Sequence, residues 1–448
     1  MSASLAIWMN GELVGTWSVD RGSHRLSYDK SWLDSPKLRS LSLSLPITSA
    51  LEIRGPVVAN YFDNLLPDNE KIRERIARRY KTKSIDMFEL LQAVGRDCVG
   101  AVQLLPVGAQ PRGWDEISGE PLSEYQVAEV LRATPSQALL GQAQDDDLLR
   151  ISLAGAQEKT ALLFTNKRWH RPLGATPTTH ILKLPLGLVG GSRRVDLHDS
   201  LENEWLCAQI LYYLHLPVAT TEMWRFEDEK ALVVTRFDRS RQAGERGQEW
   251  IARLPQEDFC QALGVPPSQK YERDGGPGIA DCMRLLAGSS DDGDRQSFAL
   301  IQLAFWLMGA PDGHAKNYSI FLERGDTYIT TPLYDVLSIF PYVGDGANQF
   351  RWRKAGPAMA LRSKNAHRHF VDIEPRHWHA LAMKHGGLVV WEAMVRLVER
   401  VEPALDQIAQ TLPHDFPPRT WETISQGMHS QAARFLGGLA GSPQAMRS

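Results

Sequence analysis

Residues 305–339, FWLMGAPDGHAKNYSIFLERGDTYITTPLYDVLSI, contain the pattern that decides the fold. Apolar residues before Gly309 recur at helical spacing, which predicts a helix over Ser297–Met308 that ends at this glycine. Beyond it, Tyr318–Leu322 and Tyr328–Thr331 are typical of two short strands joined by a tight turn. The stretch therefore predicts a helix, a polar loop and a β-hairpin in direct succession.

Three oxygen-bearing side chains flank this hairpin. Asp312 and Asn317 precede its first strand, and Asp335 follows its second, so a hairpin brings the three together. Such oxygens suit Mg²⁺, and phosphoryl transfer from ATP also needs a carboxylate that orients the acceptor hydroxyl. The spacing matches a protein-kinase catalytic centre, although the usual His-Arg before the first Asp and Phe-Gly after the last are missing. Ordinary turn-forming aspartates are the competing interpretation.

Composition is that of a soluble globular protein. The chain has 448 residues, 43% of them hydrophobic and 23% charged, and this length suits two or three domains. The net charge of −3 argues against a strongly basic surface that would bind nucleic acid or membranes. Four widely spaced cysteines without a CxxC pair indicate reduced thiols of a cytoplasmic protein. We expect neither a signal segment nor a membrane partner, since no run approaches the roughly 20 apolar residues of a membrane span.

A second informative stretch is residues 151–164, ISLAGAQEKTALLF, which predicts strand, small-residue turn and strand. The turn Ala154-Gly155-Ala156 has little side-chain bulk, so its backbone N–H groups suit close approach to a phosphate. Ser152 adds a hydroxyl and Lys159 a positive charge. The stretch is not a Walker A loop, and a β-turn without ligand is the competing interpretation.

Further kinase-like positions follow in order along the chain. Lys183 is the only charge in a strand-like segment and suits a strand lysine that neutralises ATP phosphates, or one that snorkels to the surface. Glu204, on a predicted helix, is a candidate ion-pair partner for Lys183, although the helix dipole favours an acidic residue there in any case. Thr235 and Phe237 end a buried strand where a kinase hinge would meet adenine.

This order predicts an α+β, two-lobed protein-kinase-like fold with a β-rich N-terminal subdomain and a mostly helical C-terminal lobe. The expected domains are 1–110 (β-rich plus helices), 111–240 (a region like a kinase N-lobe) and 241–448 (helical, with the catalytic hairpin). We expect the basic run at 73–83, the histidines at 367–385 and the basic segment 351–370 to be mainly solvated or packed surface. An acidic partner and zinc are the minority interpretations of the first two. For the basic segment, contact with DNA or steering of an anionic substrate surface stays open beside a solvated face.

Several segments together closely resemble one family, the HipA serine/threonine-kinase toxins of bacterial type II toxin–antitoxin modules. They are SLAGAQEKTALL, THILKLP, VTRFDR, GAPDGHAKNYSIFL and TPLYDVLS, and near the N-terminus also WMNGELVGTW and FDNLLPDNE. The resemblance is strong over about residues 150–345. It implies a kinase fold with ATP and Mg²⁺ as cofactors.

The resemblance implies a role for each matching residue. Asp312 matches the catalytic base, Asn317 and Asp335 match the Mg²⁺ ligands, and Lys183 matches the phosphate-binding lysine. Ser152 matches a loop serine whose autophosphorylation expels the loop and silences the kinase. The nucleotide-binding set that we expect comprises Ser152, Ala154, Gly155, Ala156, Lys159, Lys183, Thr235, Phe237, His314 and Lys316. Thr235 stands where the best-known members carry Glu. A main-chain contact with nucleotide is unaffected by this change, whereas a side-chain contact of the glutamate is lost.

The resemblance also implies an activity and its partners. Family members inhibit translation by phosphorylating an aminoacyl-tRNA synthetase, glutamyl-tRNA synthetase in the best-known case. They bind a small helix-turn-helix antitoxin, HipB, which carries the complex to operator DNA. Two other functions stay open: a catalytically weak kinase-fold corepressor and a small-molecule phosphotransferase. The presence of Asp312, Asn317, Asp335 and Lys183 favours the protein kinase.

Overall fold

The computed structural model describes residues 3–135, 151–155, 157–189, 195–244 and 247–440. Its strands are β1 Ala3–Met9, β2 Glu12–Asp20, β3 Ser23–Tyr28, β4 Glu52–Arg54, β5 Val102–Pro106, β6 Gly119–Pro121, β7 Lys159–Thr165, β8 Arg168–Pro172, β9 His180–Lys183, β10 Gly187–Val189, β11 Val195–Leu197, β12 Thr221–Phe226, β13 Glu229–Thr235, β14 Arg239–Ala243, β15 Glu249–Arg253, β16 Gln256–Asp258, β17 Ser319–Leu322, β18 Tyr328–Thr330, β19 Leu361–Arg362 and β20 Ala366–His367. Its α-helices are α1 Lys30–Leu33, α2 Pro56–Asp63, α3 Glu70–Tyr80, α4 Met87–Val94, α5 Glu124–Ala133, α6 Ser200–Tyr213, α7 Phe259–Ala262, α8 Ile279–Leu286, α9 Asp294–Met308, α10 Pro375–His385, α11 Gly387–Glu399, α12 Val401–Thr411 and α13 Pro418–Ala440.

The chain divides into two compact units. The first comprises Met1–Leu184, Glu222–Ser268 and Ser319–Tyr328, and the second comprises Pro185–Thr221, Gln269–Tyr318 and Ile329–Ser448. The first unit holds most of the strands and the second most of the long helices. The predicted α+β class, β-rich first and mainly helical later, is confirmed.

The start of the first unit is a five-stranded antiparallel sheet in the order β4-β3-β2-β1-β5. Its buried face carries Trp17, whose ring stacks on Phe62 of α2 with centroids 4.0 Å apart. Burial of these large apolar side chains is the main stabilisation of such a layer. The turn Asn10-Gly11 joins β1 to β2, as expected of an Asn-Gly pair between two strands.

The second sheet of the first unit contains the strands of the kinase-like motifs. Its order is β12-β13-β9-β7-β8-β6. Strand β9, which ends at Lys183, lies between β13 and β7 and pairs antiparallel with both. A strand with neighbours on both sides has a fixed register, so the position of Lys183 is set by the sheet.

The quoted 305–339 stretch folds as its pattern predicts. Helix α9 begins slightly earlier than predicted, at Asp294, and ends at Met308 before Gly309. Strands β17 and β18 are neighbours in a three-stranded sheet, β16-β17-β18. Apolar spacing predicted the helix because its buried apolar residues run from Phe298 to Met308.

The second unit is built around α9. Helices α10, α11 and α13 all pack on it, and the indole N–H of Trp306 donates to the Phe370 carbonyl at 3.2 Å. Helix α6 buries polar side chains as well as apolar ones, since Glu202, Asn203 and Glu204 are each less than 9% exposed. Among the described residues, we find no helix with the length and apolarity needed to span a bilayer.

Candidate active site

The candidate residues fall into two sets, one in each unit. The set in the second unit lies on the loop after α9. The amide nitrogen of Asn317 donates to the Asp312 carbonyl at 2.7 Å, and the backbone N–H of His314 donates to the same carbonyl at 2.8 Å. These bonds fold the loop so that Asp312 and Asn317 are brought together.

A glycine makes this tight loop sterically feasible. A Cβ atom on Gly313 would lie 2.6 Å from the Phe305 ring and 2.7 Å from the Tyr318 hydroxyl, so only glycine fits without displacing them. The loop then enters a short 3₁₀ turn, Ala315–Asn317, whose residues are all buried. Asp312 itself is 46% exposed at its side chain, as an acceptor site requires.

The residue before Asp335 contacts the same loop. The Tyr334 hydroxyl donates to the Lys316 carbonyl at 2.9 Å, so residues adjacent to Asp335 and to Asn317 are in contact. Asp335 has a φ of 61°, a left-handed conformation that costs energy for a non-glycine residue. Such strain is frequent at functional sites. His314 and Lys316 are buried in this loop.

Asn203 of α6 fixes the chain just beyond Asp335. Its amide nitrogen donates to the Ser338 carbonyl at 2.8 Å, and its amide oxygen accepts from the Ser338 N–H at 2.9 Å. The Ser338 hydroxyl in turn donates to the Met308 carbonyl at 2.6 Å. Sequence reasoning missed Asn203, because a single Asn in a helix pattern gives no signal of a partner 135 positions away.

The set in the first unit begins with Ser152, which is fully buried. Its hydroxyl donates to the Leu65 carbonyl at 2.7 Å, and its N–H donates to the Asp97 carbonyl at 3.1 Å. Gly155 forms a bridge with Pro67. Ala154, between Ser152 and Gly155 in the sequence, is partly exposed. Ala156 lies outside the described residues.

Two lysines of this set face each other across strands. Lys159 of β7 is the register partner of Lys183 of β9, so their side chains lie on one face of the sheet. A Cβ atom on Gly155 would lie 2.6 Å from the Lys159 ammonium nitrogen, so this lysine reaches the small-residue turn. The predicted ion pair of Lys183 with Glu204 stays a prediction.

The predicted hinge residues lie at the end of β13. Thr235 is exposed and pairs in register with His180 of β9. The Phe237 ring meets Phe321 edge to face, with centroids 5.9 Å apart. Contact of this segment with adenine stays a prediction.

Between and beside these two residues lies a buried ionic network that sequence reasoning did not find. Arg236 donates to Asp238 at 2.7 Å and lies 3.4 Å from Asp97. Arg239 and Arg253 also bond Asp97, at 3.0 and 3.1 Å. Burial alone raises the pKa of Asp97, but the three guanidinium groups outweigh it and hold the pKa well below its usual range. The signal in the sequence was the charged run Arg-Phe-Asp-Arg at a strand end.

The donor chemistry of the second set fits magnesium. The Asn317 amide nitrogen faces the Asp312 carbonyl, so its amide oxygen points elsewhere. That oxygen and the Asp335 carboxylate are of the hard type that Mg²⁺ prefers, and their role as its ligands stays a prediction. Among the described residues, no group of three or more His, Cys, Asp or Glu could hold a metal. An Asn–Asp set completed by phosphate oxygens is a different kind of site, because it combines an amide oxygen with a single carboxylate.

Comparison with known proteins identifies the family. Residues 151–415 match the model of the HipA-like C-terminal domain, and residues 5–105 match that of the HipA N-terminal domain. The protein Y4mE of Sinorhizobium fredii is 34% identical over 344 residues, which cover 75% of this chain and 78% of Y4mE. The serine/threonine-protein kinase toxin HipA of Shewanella oneidensis is 27% identical over 363 residues, 76% of each chain.

Among solved structures, the chain is similar to HipA of Shewanella oneidensis in its complex with HipB and operator DNA. The TM-score is 0.77 at 23% identity, and 97% of each chain is covered. This likeness shows that the two chains share the kinase-like fold. The two family models together span most of the sequence, and the order of motifs along it is the expected one. The chain therefore belongs to the HipA family of kinases.

Proposed function

We propose that the chain is an ATP- and Mg²⁺-dependent serine/threonine-protein kinase that acts as the toxin of a type II toxin–antitoxin module. The observation that carries the proposal is the loop of the second unit. There, Asn317 is bonded to the Asp312 carbonyl, and Tyr334 ties the Asp335 segment to Lys316. These contacts bring together the chain segments of Asp312, Asn317 and Asp335, and transfer from ATP to a hydroxyl requires one carboxylate as base and oxygen ligands for the metal.

Each residue has a part in the proposed reaction. Asp312 accepts the proton of the acceptor hydroxyl while that oxygen bonds to the γ-phosphorus and the bond to the ADP oxygen breaks. Asn317 and Asp335 would hold magnesium, which would neutralise charge on the phosphates. Lys159, Lys183 and the backbone of Ala154 and Gly155 bind phosphate oxygens.

The partners follow from the family. The Shewanella relative assembles with HipB and operator DNA, so we propose a HipB-like helix-turn-helix antitoxin and operator DNA as partners of this chain too. For the acceptor we propose an aminoacyl-tRNA synthetase, with glutamyl-tRNA synthetase as the first candidate. Ser152 is the proposed site of autophosphorylation.

The test is phosphate transfer by the full chain and by Asp312→Asn. Purified protein is incubated with labelled ATP, MgCl₂ and cell lysate, and the labelled proteins are identified by mass spectrometry. Because Asn cannot accept the proton, we expect incorporation to fall about 10²- to 10⁴-fold, while ATP affinity from calorimetry stays within about twofold.

Asp345→Asn, at an exposed aspartate, is the matched control and should behave as wild type. Incorporation by Asp312→Asn equal to wild type would refute the assignment of the base. Wild-type protein that binds antitoxin and transfers no phosphate would instead show that the chain is a catalytically weak corepressor. Label found only on small molecules would show that it is a small-molecule phosphotransferase.

A further inference from the structure

Tyr271 lies against the catalytic loop but belongs to none of the motifs quoted above. Its hydroxyl donates a hydrogen bond of 2.5 Å to Oδ1 of Asp312. Its ring meets His314 edge to face, with centroids 4.8 Å apart at 87°. Tyr271 thus contacts both the proposed base and the residue two positions beyond it.

The chain around Tyr271 is anchored on both sides. Before it, the Lys270 carbonyl accepts from the Ala315 N–H of the catalytic loop at 3.2 Å. After it, the nearly buried carboxylate of Glu272 accepts from the Ala360 N–H at 2.5 Å. The tyrosine hydroxyl therefore reaches the carboxylate from a preorganised position.

Two cations hold the ring in this place. The Lys270 ammonium lies 5.4 Å and the Arg273 guanidinium 4.8 Å from the centroid of the Tyr271 ring. Both distances are within the range of cation–π attraction. His314 and these two cations therefore favour the position of the ring beside Asp312.

We propose that Tyr271 is a positioning residue, which holds Asp312 in the rotamer whose second oxygen, Oδ2, meets the acceptor hydroxyl. This inference rests on the proposed kinase function. The Asp312 side chain is 46% exposed, so packing does not fix its orientation. Oδ2 lies 3.9 Å from Nε2 of His314, beyond hydrogen-bond length. Within the described ranges, the tyrosine bond is the hydrogen bond that constrains this carboxylate.

The experiment is a double-mutant cycle of Tyr271→Phe and Asp312→Asn. A degenerate peptide library with one central serine is the acceptor, together with labelled ATP and MgCl₂. We expect Tyr271→Phe, which keeps the ring, to lower kcat for transfer about ten- to a hundredfold with KM for ATP unchanged. In the Asp312→Asn background the same substitution should change the residual rate less than about twofold, because it acts only through that carboxylate.

Tyr125→Phe, at a hydroxyl-bearing ring that is 59% exposed, is the control and should match wild type. Equal losses from Tyr271→Phe in both backgrounds would overturn the inference, since the effect would then be general destabilisation. Faster transfer by Tyr271→Phe would also overturn it, because the hydroxyl would then be competing with the acceptor. Wild-type protein without any transfer would refute the proposed function itself, and this inference with it.

Discussion

Glu257 is a fully buried carboxyl group in the first unit. Its Oε1 accepts from the Leu43 N–H at 2.9 Å. Burial, reinforced by the negative charges of Asp258 and Asp326, raises its pKa from 4.5 to about 8. The folded protein therefore keeps a proton near neutral pH that the unfolded chain releases.

This proton makes stability depend on pH. Between about pH 4.5 and pH 8 the folded state binds more protons than the unfolded state, so the free energy of unfolding falls as pH rises through this window. Glu257→Gln keeps the acceptor for Leu43 and cannot ionise. We expect the free energy of unfolding of the variant, relative to wild type, to rise by roughly 2–4 kcal/mol between pH 5 and pH 8.

Urea denaturation of both proteins at pH 5, 6.5 and 8, followed by tryptophan fluorescence, measures the difference. Glu399→Gln, at an exposed glutamate, is the matched control and should run parallel to wild type. A constant gap between Glu257→Gln and wild type across the three pH values would show that Glu257 is ionised in the folded protein.

At the scale of elements, helix α6 acts as a support for the chain beyond Asp335. Asn203 pairs with both backbone groups of Ser338, and the Ile339 N–H donates to the Gly309 carbonyl at 3.0 Å. Helix α6, the end of α9 and the segment after Asp335 are therefore joined through buried polar bonds. Such bonds are costly to break because the partners stay buried.

Replacing Asn203 by Asp removes the donor to the Ser338 carbonyl and places a carboxylate oxygen against it. We expect a loss of about 2–4 kcal/mol in stability. Because the segment after Asp335 loosens, we also expect a several-fold rise in the MgCl₂ concentration needed for half-maximal transfer. The proposed base, Asp312, is unchanged in this variant.

Thermal melting and magnesium titration of the kinase assay give the two readouts. Asn365→Asp, on an exposed loop, is the control for the added charge. An unchanged magnesium titration in a destabilised Asn203→Asp protein would assign Asn203 to folding alone and separate it from the metal site.

Elements with a local signal were predictable and long-range polar contacts were not. The helix before Gly309 and strands β17 and β18 follow from spacing, because apolar periodicity is a property of consecutive residues. Tyr271 bonds Asp312 across 41 positions and Arg236 reaches Asp97 across 139. The sequence around neither residue indicates its partner. The Asp–Asn–Asp spacing therefore predicted the loop but not the distant residues, such as Tyr271, that contact it.

At the scale of the whole chain, the N-terminal sheet region and the kinase-like strands are joined at the proposed phosphate loop. Leu65 and Asp97 accept the two hydrogen bonds of Ser152, and the Asp68 N–H donates to the Gly155 carbonyl at 3.3 Å. These residues all belong to the first unit. The N-terminal region, with its own family model over residues 5–105, therefore holds the loop in place.

This contact predicts how phosphorylation of Ser152 would act. A phosphate there adds about two negative charges where the hydroxyl now donates to a carbonyl in a fully buried site. Since the dianion has no donor to offer Leu65, the loop must leave.

After incubation with ATP and MgCl₂, hydrogen–deuterium exchange at residues 151–155 should therefore rise at least tenfold, in parallel with loss of kinase activity. Ser152→Ala should show neither change, whereas Ser23→Ala, at an exposed serine, should show both. Protein phosphorylated at Ser152 whose loop amides still exchange slowly would mean that the buried position tolerates the phosphate, and the contact with the N-terminal region would then have no part in control.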